Sequence, residues 1–383
     1  MSALEKVDAI FKTPENELVK EWRAQGKKVI GYYCSYIPEE LIYAADMLPY
    51  RVRPEGCVET PYANVYMTEV HCTFVRASLE YLLDGTYEFF DGLVGMNSCD
   101  AMRRVFDVYK EGEKKSGRTY PFLHFVDVPY KVEELSINHF ATEELARFKK
   151  ALEQFSGVEI TDKKLKEAID VYNETRSLLK EMYDLRKGEK PLISGAEALK
   201  IVSAATSVPK VEYNKLLREV LAEVKQREGI SGYRARLMLI GSALDSPEYV
   251  ELMEEAGGLV VTDDLCFGSR YFWAPVKVSG DLLYSLADSY VRRPACARMV
   301  KSYDSKRAYL EGMIRDFKVD GVVHERIRYC DLWGSEIIYI KKKLDEIDVP
   351  LISIEREYWP TGMEQLRTRI QAFLETIEAR GSR

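Results

Sequence analysis

Short apolar runs alternate with longer amphipathic stretches along most of the chain, and this alternation most limits the folds open to it. In the first half the pattern predicts strands at 29–33, 92–96 and 121–126, with helices at 38–46 and 100–110. Strands that alternate with helices form a mostly parallel sheet covered by helices. The first half is therefore predicted to be an α/β domain, which we bound at residues 1–141.

A second series of the same kind occupies the end of the chain. Strands are predicted at 236–241, 259–262, 320–327 and 349–355, and helical stretches separate them. The segment between the two series is charged, nearly free of glycine, and has apolar residues three and four positions apart, which indicates helices. We predict a helical connector over 142–230 and a second α/β domain over 231–383.

Charge and composition exclude some classes of function. Lys and Arg total 55 against 62 Asp and Glu, a net charge of −7, and no basic block stands out. Nucleic-acid binding is therefore not expected. No apolar run reaches the roughly 18 residues that a membrane-spanning helix needs. The first residues carry charges where a signal peptide would be apolar, so we expect a cytoplasmic location.

The seven cysteines are the least ordinary part of the composition. In a reducing compartment disulfides are not expected, which leaves buried thiols, a reactive thiol or metal ligands. The cysteines directly after predicted strands are Cys34, Cys99, Cys266 and Cys330. Ligands of open α/β sheets bind beyond the carboxyl ends of the strands, where helix N-termini also lower thiol pKa values. Small buried hydrophobes remain the simpler interpretation for any one cysteine.

Several familiar sites are absent from the sequence. It contains no C-x-x-C pair, no closely spaced ferredoxin-type cysteines and no H-E-x-x-H. It also lacks a P-loop and a G-x-G-x-x-G motif. Neither a histidine-based zinc site nor a phosphate-binding loop for ATP is therefore predicted.

Eight segments in order resemble one known family over nearly the whole chain. The family is that of the 2-hydroxyacyl-CoA dehydratase and benzoyl-CoA reductase subunits, of the 2-hydroxyglutaryl-CoA dehydratase D-component type. The segments are GYYCSYIPEELIYAADMLP, HCTFVRASLEYLLDG, GLVGMNSCD, ISGAEALKIV, VTDDLCFGSRYFW, DGVVHERIRYCDLWGSE, VPLISIEREYW and EQLRTRIQAFLE. The order is strong support for the superfamily, whereas the substrate is left open.

The resemblance implies two Rossmann-like domains with a [4Fe–4S] cluster between them. By motif, the thiolate ligands would be Cys72, Cys99 and Cys330. Three protein ligands leave one iron with an open position, which suits a Lewis-acid role. A branch of the family carries a double-cubane cluster with six cysteines. In that alternative Cys266 and Cys296 would be extra ligands, although Asp84 stands where that branch has a cysteine.

The resemblance also implies positions for the substrate. Ser35 and Glu55 match residues that lie beside the substrate in the resembling dehydratases, and Arg270 is a candidate contact for CoA. Lys114 and Lys115 are further candidates for the CoA phosphates. Ser35 has an alternative interpretation as the N-cap of the following helix, and Glu55 as a solvated loop carboxylate. Cys34 and Cys57 receive no role.

The activity implied is the radical elimination of water from a 2-hydroxyacyl-CoA. One low-potential electron forms a ketyl radical anion, which expels hydroxide; the electron comes from a separate ATP-hydrolysing iron–sulfur activator. The partners implied are an acyl-CoA substrate, that activator and a homologous subunit in a homo- or heterodimer. Three alternatives stay open: a benzoyl-CoA reductase subunit, a double-cubane reductase, and a non-catalytic electron-relay subunit.

Overall fold

Two four-stranded parallel sheets form the framework of the protein. The computed structural model describes residues 1–116, 119–300 and 302–381, and the side chains of these except 112–116 and 381. Lys114 and Lys115 thus have side chains outside the described part. The strands are β1 Val29–Tyr32, β2 Leu48–Arg51, β3 Gly92–Met96, β4 Phe122–Val126, β5 Ala235–Gly241, β6 Gly258–Asp264, β7 Gly321–Ile327 and β8 Leu351–Arg356.

The two sheets share one topology. The strand orders are β2-β1-β3-β4 and β6-β5-β7-β8, and every pairing is parallel. Each sheet therefore reverses its winding direction between its first and third strands, β1 and β3 or β5 and β7. Such a reversal opens a crevice at the carboxyl ends of the two strands, because the connections leave on opposite faces. The predicted α/β class is confirmed, and the two halves repeat one architecture.

Helices cover both sheets and fill the region between them. Those of the first half are α1 Ala3–Lys12, α2 Glu17–Ala24, α3 Glu39–Ala44, α4 Pro61–Asn64, α5 Thr73–Asp84 and α6 Asp100–Ser116. The middle contains α7 Glu134–His139, a π-helical turn Phe140–Leu145, α8 Ala146–Ser156, α9 Asp162–Asp184, α10 Gly195–Ala205 and α11 Lys210–Val224. The second half has α12 Pro247–Glu255, α13 Ser269–Phe272, α14 Leu282–Arg292, α15 Tyr303–Asp316, α16 Asp331–Glu346 and α17 Met363–Gly381.

Local signals account for several helix ends. Ser194 and Glu197 form the predicted capping box of α10, since each side chain accepts a hydrogen bond from the other residue's backbone amide. Asp46 follows α3 in the left-handed conformation, with φ 58°, for which glycine is the usual residue at a helix end. Its carboxylate lies 2.9 Å from Lys27 Nζ, and this ion pair anchors the turn.

The two halves pack directly on each other. The ring of Phe74 on α5 lies 6.4 Å from that of Phe267 and 5.4 Å from that of Tyr358, both in the second half. A buried ion pair of 2.6 Å between Glu40 and Arg176 joins α3 to α9. The interface between the sheets is thus a packed core that leaves its carboxyl edges for a site.

No helix among the described residues is long and apolar enough to cross a membrane.

A candidate thiol site between the two sheets

Three cysteines occupy equivalent places at the start of helices on the carboxyl edges of the sheets. Cys72 is the N-cap residue of α5, Cys99 directly precedes α6, and Cys330 is the N-cap residue of α16. Cys99 and Cys330 follow β3 and β7, the third strands, at the two points where the winding reverses. The Met102 amide lies 3.4 Å from the Cys99 sulfur and donates to it. Each sulfur therefore faces the partial positive charge of a helix N-terminus.

Cys72, Cys99 and Cys330 lie within electrostatic range of one another. Burial raises the pKa of Cys99 to about 12, and the charge of Cys72 contributes to that rise. Burial also raises the pKa of Cys330, with contributions from Cys72 and Cys99. The pKa of Cys72 rises to about 11, again mainly through burial. Sequence places Cys330 far from the other two, and the fold brings all three to one place.

The donor set fits a soft, positively charged inorganic group. Thiols with pKa values this high stay protonated near neutral pH, and a bound metal centre converts such thiols into thiolate ligands. Within the described residues, no three His, Cys, Asp or Glu side chains are grouped closely enough to hold a single metal ion. An iron–sulfur cluster is larger than one ion, so its thiolate ligands lie farther apart. The chemistry of the three thiols suits such a cluster.

Cys34 and Cys296 lie on the same side of the site. Both contribute to the raised pKa of Cys99, and the charge of Cys296 also raises that of Cys34. The Cys296 amide donates a 3.2 Å hydrogen bond to the Tyr36 hydroxyl, which fixes the 296 loop against the turn after β1. Cys57, by contrast, is buried beside Glu59, whose carbonyl accepts its thiol hydrogen at 3.2 Å.

Ser35 lies in the turn after β1, beside this group of thiols. Its side chain does not cap α3, because the N-cap position of that helix is Pro38 and no side chain caps it. The alternative interpretation of Ser35 as a helix cap is therefore wrong. Its backbone carbonyl accepts a hydrogen bond from Arg293, a residue of the second half. Ser35 is thus held at the boundary between the two sheets.

Glu55 has a different set of neighbours. Its carboxylate lies 3.6 Å from Arg53 Nη1, and burial together with the charge of Asp245 raises its pKa to about 8. Arg53 lowers that pKa in part. Glu55 is therefore a half-buried carboxyl group in a carboxyl–guanidinium cluster, and not the solvated loop carboxylate of the alternative interpretation.

Arg270 is buried within the second half. Its guanidinium lies 3.2 Å from Asp264 Oδ1, donates to the Gly241 carbonyl at 3.2 Å and sits 4.8 Å from the centre of the Trp333 ring. With 2% of its surface exposed, it has no free face for a phosphate. A contact with CoA would require the Arg270–Asp264 pair to open, so that assignment stays a prediction. Cys266 and Cys296 both contribute to the raised pKa of Arg270.

Sequence reasoning missed the arginines that cross the site. Arg51 ends β2 and donates a 2.5 Å hydrogen bond to the Cys266 carbonyl. Arg298 donates to the carbonyls of Val128 at 2.9 Å and Asn97 at 3.3 Å. The sequence signal for Arg51 was its place at the end of the apolar run LPYR, because an arginine in a buried strand is unusual.

The fold and the site together define a class. Two parallel α/β sheets of the same topology carry cysteines at helix N-termini along their carboxyl edges, which is the architecture of a two-domain Rossmann-like subunit. The model of the family described as 2-hydroxyglutaryl-CoA dehydratase, D-component, matches residues 34–377. The chain belongs to this family, as the motifs indicated.

Relatives cover almost the whole chain. The chain is 27% identical to (R)-2-hydroxyglutaryl-CoA dehydratase subunit beta of Acidaminococcus fermentans, over 98% of both chains. It is 26% identical to (R)-phenyllactyl-CoA dehydratase beta subunit of Clostridium sporogenes, over 96% of both. It is 25% identical to one of the subunits of benzoyl-CoA reductase from Thauera aromatica, over 97% of both. Relatives at similar identity thus include dehydratase and reductase subunits.

Proposed function

We propose that the chain is an iron–sulfur subunit of a 2-hydroxyacyl-CoA dehydratase, which eliminates water by a radical (ketyl) route after ATP-driven one-electron activation. The observation that carries this proposal is that three cysteines at helix N-termini, from the carboxyl edges of both sheets, lie within electrostatic range of one another. Cys72, Cys99 and Cys330 would hold a [4Fe–4S] cluster. Such a cluster, when bound, supplies one-electron transfer and an iron with an open coordination position.

The chain's own residues have distinct tasks in this proposal. The amide of Met102 stabilises the thiolate of Cys99, as helix N-termini do for anions. Ser35, held between the sheets, would donate a hydrogen bond to the substrate's thioester or hydroxyl group. Glu55 exchanges its proton near neutral pH, where a general acid or base is most effective. The chain has no P-loop, so ATP hydrolysis would belong to a separate activator.

Iron and acid-labile sulfide per chain, measured on anaerobically purified protein together with its EPR spectrum, test the proposal. About four irons per chain are expected for a single cubane, and about eight for the double-cubane alternative. No iron after anaerobic reconstitution would contradict the proposal. Product analysis with 2-hydroxyacyl-CoAs and with benzoyl-CoA then separates dehydratase from reductase activity.

A second candidate, a partner subunit that completes another chain's pocket, is favoured by one observation. The carboxylate of Glu55 lies 3.6 Å from Arg53 Nη1 and is also influenced by the charge of Asp245, so it is already engaged within its own cluster. Two of the relatives named above are also beta subunits. Activity of this chain alone with an activator, compared with activity after addition of a homologous subunit, decides between the candidates. Turnover only in the mixture would favour the partner role.

A further inference from the structure

Three buried guanidinium groups join the two halves beside the thiol site. They belong to Arg51, Arg293 and Arg298, whose exposed fractions are 2%, 5% and 2%. Arg293 and Arg298 lie after α14 in the second half, and their partners include the carbonyls that follow β1 and β3 in the first. Arg51 lies in the first half, at the end of β2, and donates a hydrogen bond to the carbonyl of Cys266 in the second half. All three therefore lie at the carboxyl edges where the thiols converge.

None of the three has a carboxylate partner within the described residues. Across those parts of the chain, no Asp or Glu oxygen lies within 4.0 Å of these guanidiniums, although Arg270 and Arg356 nearby each have one. Their hydrogen-bond acceptors are backbone carbonyls, an amide oxygen and a thioether sulfur. The Nε atom of each has no hydrogen-bond partner. A buried cation without a counter-ion is costly, so this region is expected to receive an anion.

Hydrogen bonds place two of these guanidiniums beside the thiol site. Arg298 donates to the carbonyl of Asn97, two residues before Cys99, at 3.3 Å, and Arg293 donates to the carbonyl of Ser35, next to Cys34. Cys34 and Cys266 interact electrostatically with Arg51, and Arg298 also acts on Cys34. Cys34 is in turn coupled to Cys99. A [4Fe–4S] core of charge 2+ held by three thiolates carries a net charge of −1, which becomes −2 on one-electron reduction. The required anion and the proposed cluster therefore match in place and in sign.

We infer that Arg51, Arg293 and Arg298 are the counter-charges of the cluster proposed above and stabilise its reduced form. This inference rests on the proposed function. One electron from a low-potential donor, such as titanium(III) citrate, adds one negative charge to the bound cluster, and titanium(III) is oxidised to titanium(IV). The fixed positive charges favour that added electron because the dry interior screens them weakly. They thus raise the reduction potential of the cluster.

The test is an EPR-monitored reductive titration of the holoprotein. Arg51 is the best site to change, because among the described residues its guanidinium makes one hydrogen bond, to a carbonyl, and no ion pair. Arg51→Gln removes the charge, and Arg51→Lys keeps it. Arg315→Gln is the matched control, since Arg315 is 75% exposed on α15 and forms an ion pair with the adjacent Asp316.

For Arg51→Gln we expect the equilibrium for reduction to fall by about tenfold, which is about 59 mV more negative for a one-electron couple. Arg51→Lys and Arg315→Gln should keep the wild-type potential. If Arg51 had a purely structural role, its substitution would change thermal stability, and the reduction potential would not depend on the charge of the new side chain. An Arg51→Gln protein with full iron content and an unchanged potential overturns the inference.

Arg298 provides an independent second pair of variants. Arg298→Gln and Arg298→Lys repeat the comparison at a residue on the other half of the molecule, should Arg51→Gln not fold. Iron content of the wild-type protein is measured first. A wild type without iron contradicts the proposed function, whereas a loaded wild type with charge-independent potentials contradicts the counter-charge inference alone.

Discussion

Thr73, the residue after Cys72, accepts a 2.8 Å hydrogen bond from the backbone amide of Tyr358 in the second half of the chain. Its hydroxyl in turn donates to Glu357 at 2.9 Å. One threonine therefore fixes the first turn of α5, and with it Cys72, against the loop that follows β8. The position of a proposed cluster ligand from the first half is set by backbone of the second.

Thr73→Val is expected to destabilise the protein by about 1–3 kcal/mol, because the buried Tyr358 amide loses its acceptor. Since the same bond places Cys72, iron retention should fall as well. Thermal unfolding and iron content measure the two effects. Thr376→Val is the control, because the Thr376 hydroxyl is exposed and donates to the Ala372 carbonyl within α17. Unchanged stability and iron content in Thr73→Val would remove this role.

Substitution of any of the three convergent cysteines is expected to lower iron content far more than substitution of Cys57. Loss of an outer-shell partner already lowers metal affinity about 10–100-fold, so removal of a ligand should lower iron content at least as much. We expect this for Cys72→Ser, Cys99→Ser and Cys330→Ser. Cys57→Ser should keep its iron, since its thiol bonds to the Glu59 carbonyl away from the site. Iron and sulfide analysis checks the set, and full iron in Cys330→Ser would contradict the ligand assignment.

Glu55 should make stability fall as pH rises. Its pKa is about 8 in the folded protein against 4.5 for the free side chain, so the folded state holds the proton more tightly. Below about pH 4.5 both states are protonated and stability is unaffected; between about pH 4.5 and 8 the unfolded state ionises first and stability drops. Glu55→Gln should remove this fall in the free energy of unfolding. The fall amounts to a few kcal/mol, at about 1.4 kcal/mol per pKa unit.

Thermal unfolding across that pH range is the measurement for Glu55. Glu228→Gln on the exposed surface is the control. Asp245→Asn supplies a second variant, because the charge of Asp245 contributes to the raised pKa of Glu55. Its removal should lower the folded-state pKa of Glu55, so that the loss of stability due to Glu55 ends at a lower pH and is smaller. A Glu55→Gln profile identical to that of the wild type would rule out the raised pKa.

The ion pair between Arg356 and Glu325 is expected to matter for stability more than any exposed pair. The atoms Nε and Oε2 are 2.7 Å apart, and the side chains are 4% and 1% exposed. Arg356→Ala leaves a buried carboxylate without its partner, at a cost of about 3–5 kcal/mol. The double variant Arg356→Met with Glu325→Gln should recover much of that loss, because the buried charge is gone.

The exposed pair Arg234–Glu378 is the matched control for this measurement. Its side chains are 33% and 46% exposed, and such pairs contribute about 0–1 kcal/mol. Chemical denaturation of Arg234→Ala should therefore differ little from the wild type. Equal losses for Arg356→Ala and Arg234→Ala would show that burial does not govern the energetics of these pairs.

The sequence by itself determined the type and order of the elements around the site. Runs such as 92–96 and 236–241 are apolar and short enough to be buried strands, and the predicted bounds agree with Gly92–Met96 and Ala235–Gly241 within one residue. The capping box at Ser194 likewise needs only neighbours three residues apart. Such features were readable because they depend on local periodicity and hydrogen bonding. The family motifs identified the superfamily in the same way.

Only the tertiary structure decided which chemical groups meet. Cys330 joins Cys72 and Cys99 because two sheets of one topology turn their carboxyl edges toward each other, and no local pattern encodes that approach. Glu55 acquires its raised pKa in part from Asp245, nearly half the chain away in sequence. Arg51 lies without a carboxylate partner among the described residues because burial between the halves, and not its own segment, sets its surroundings. Charges and pKa values depend on long-range neighbours, whereas strands and helices depend on near ones.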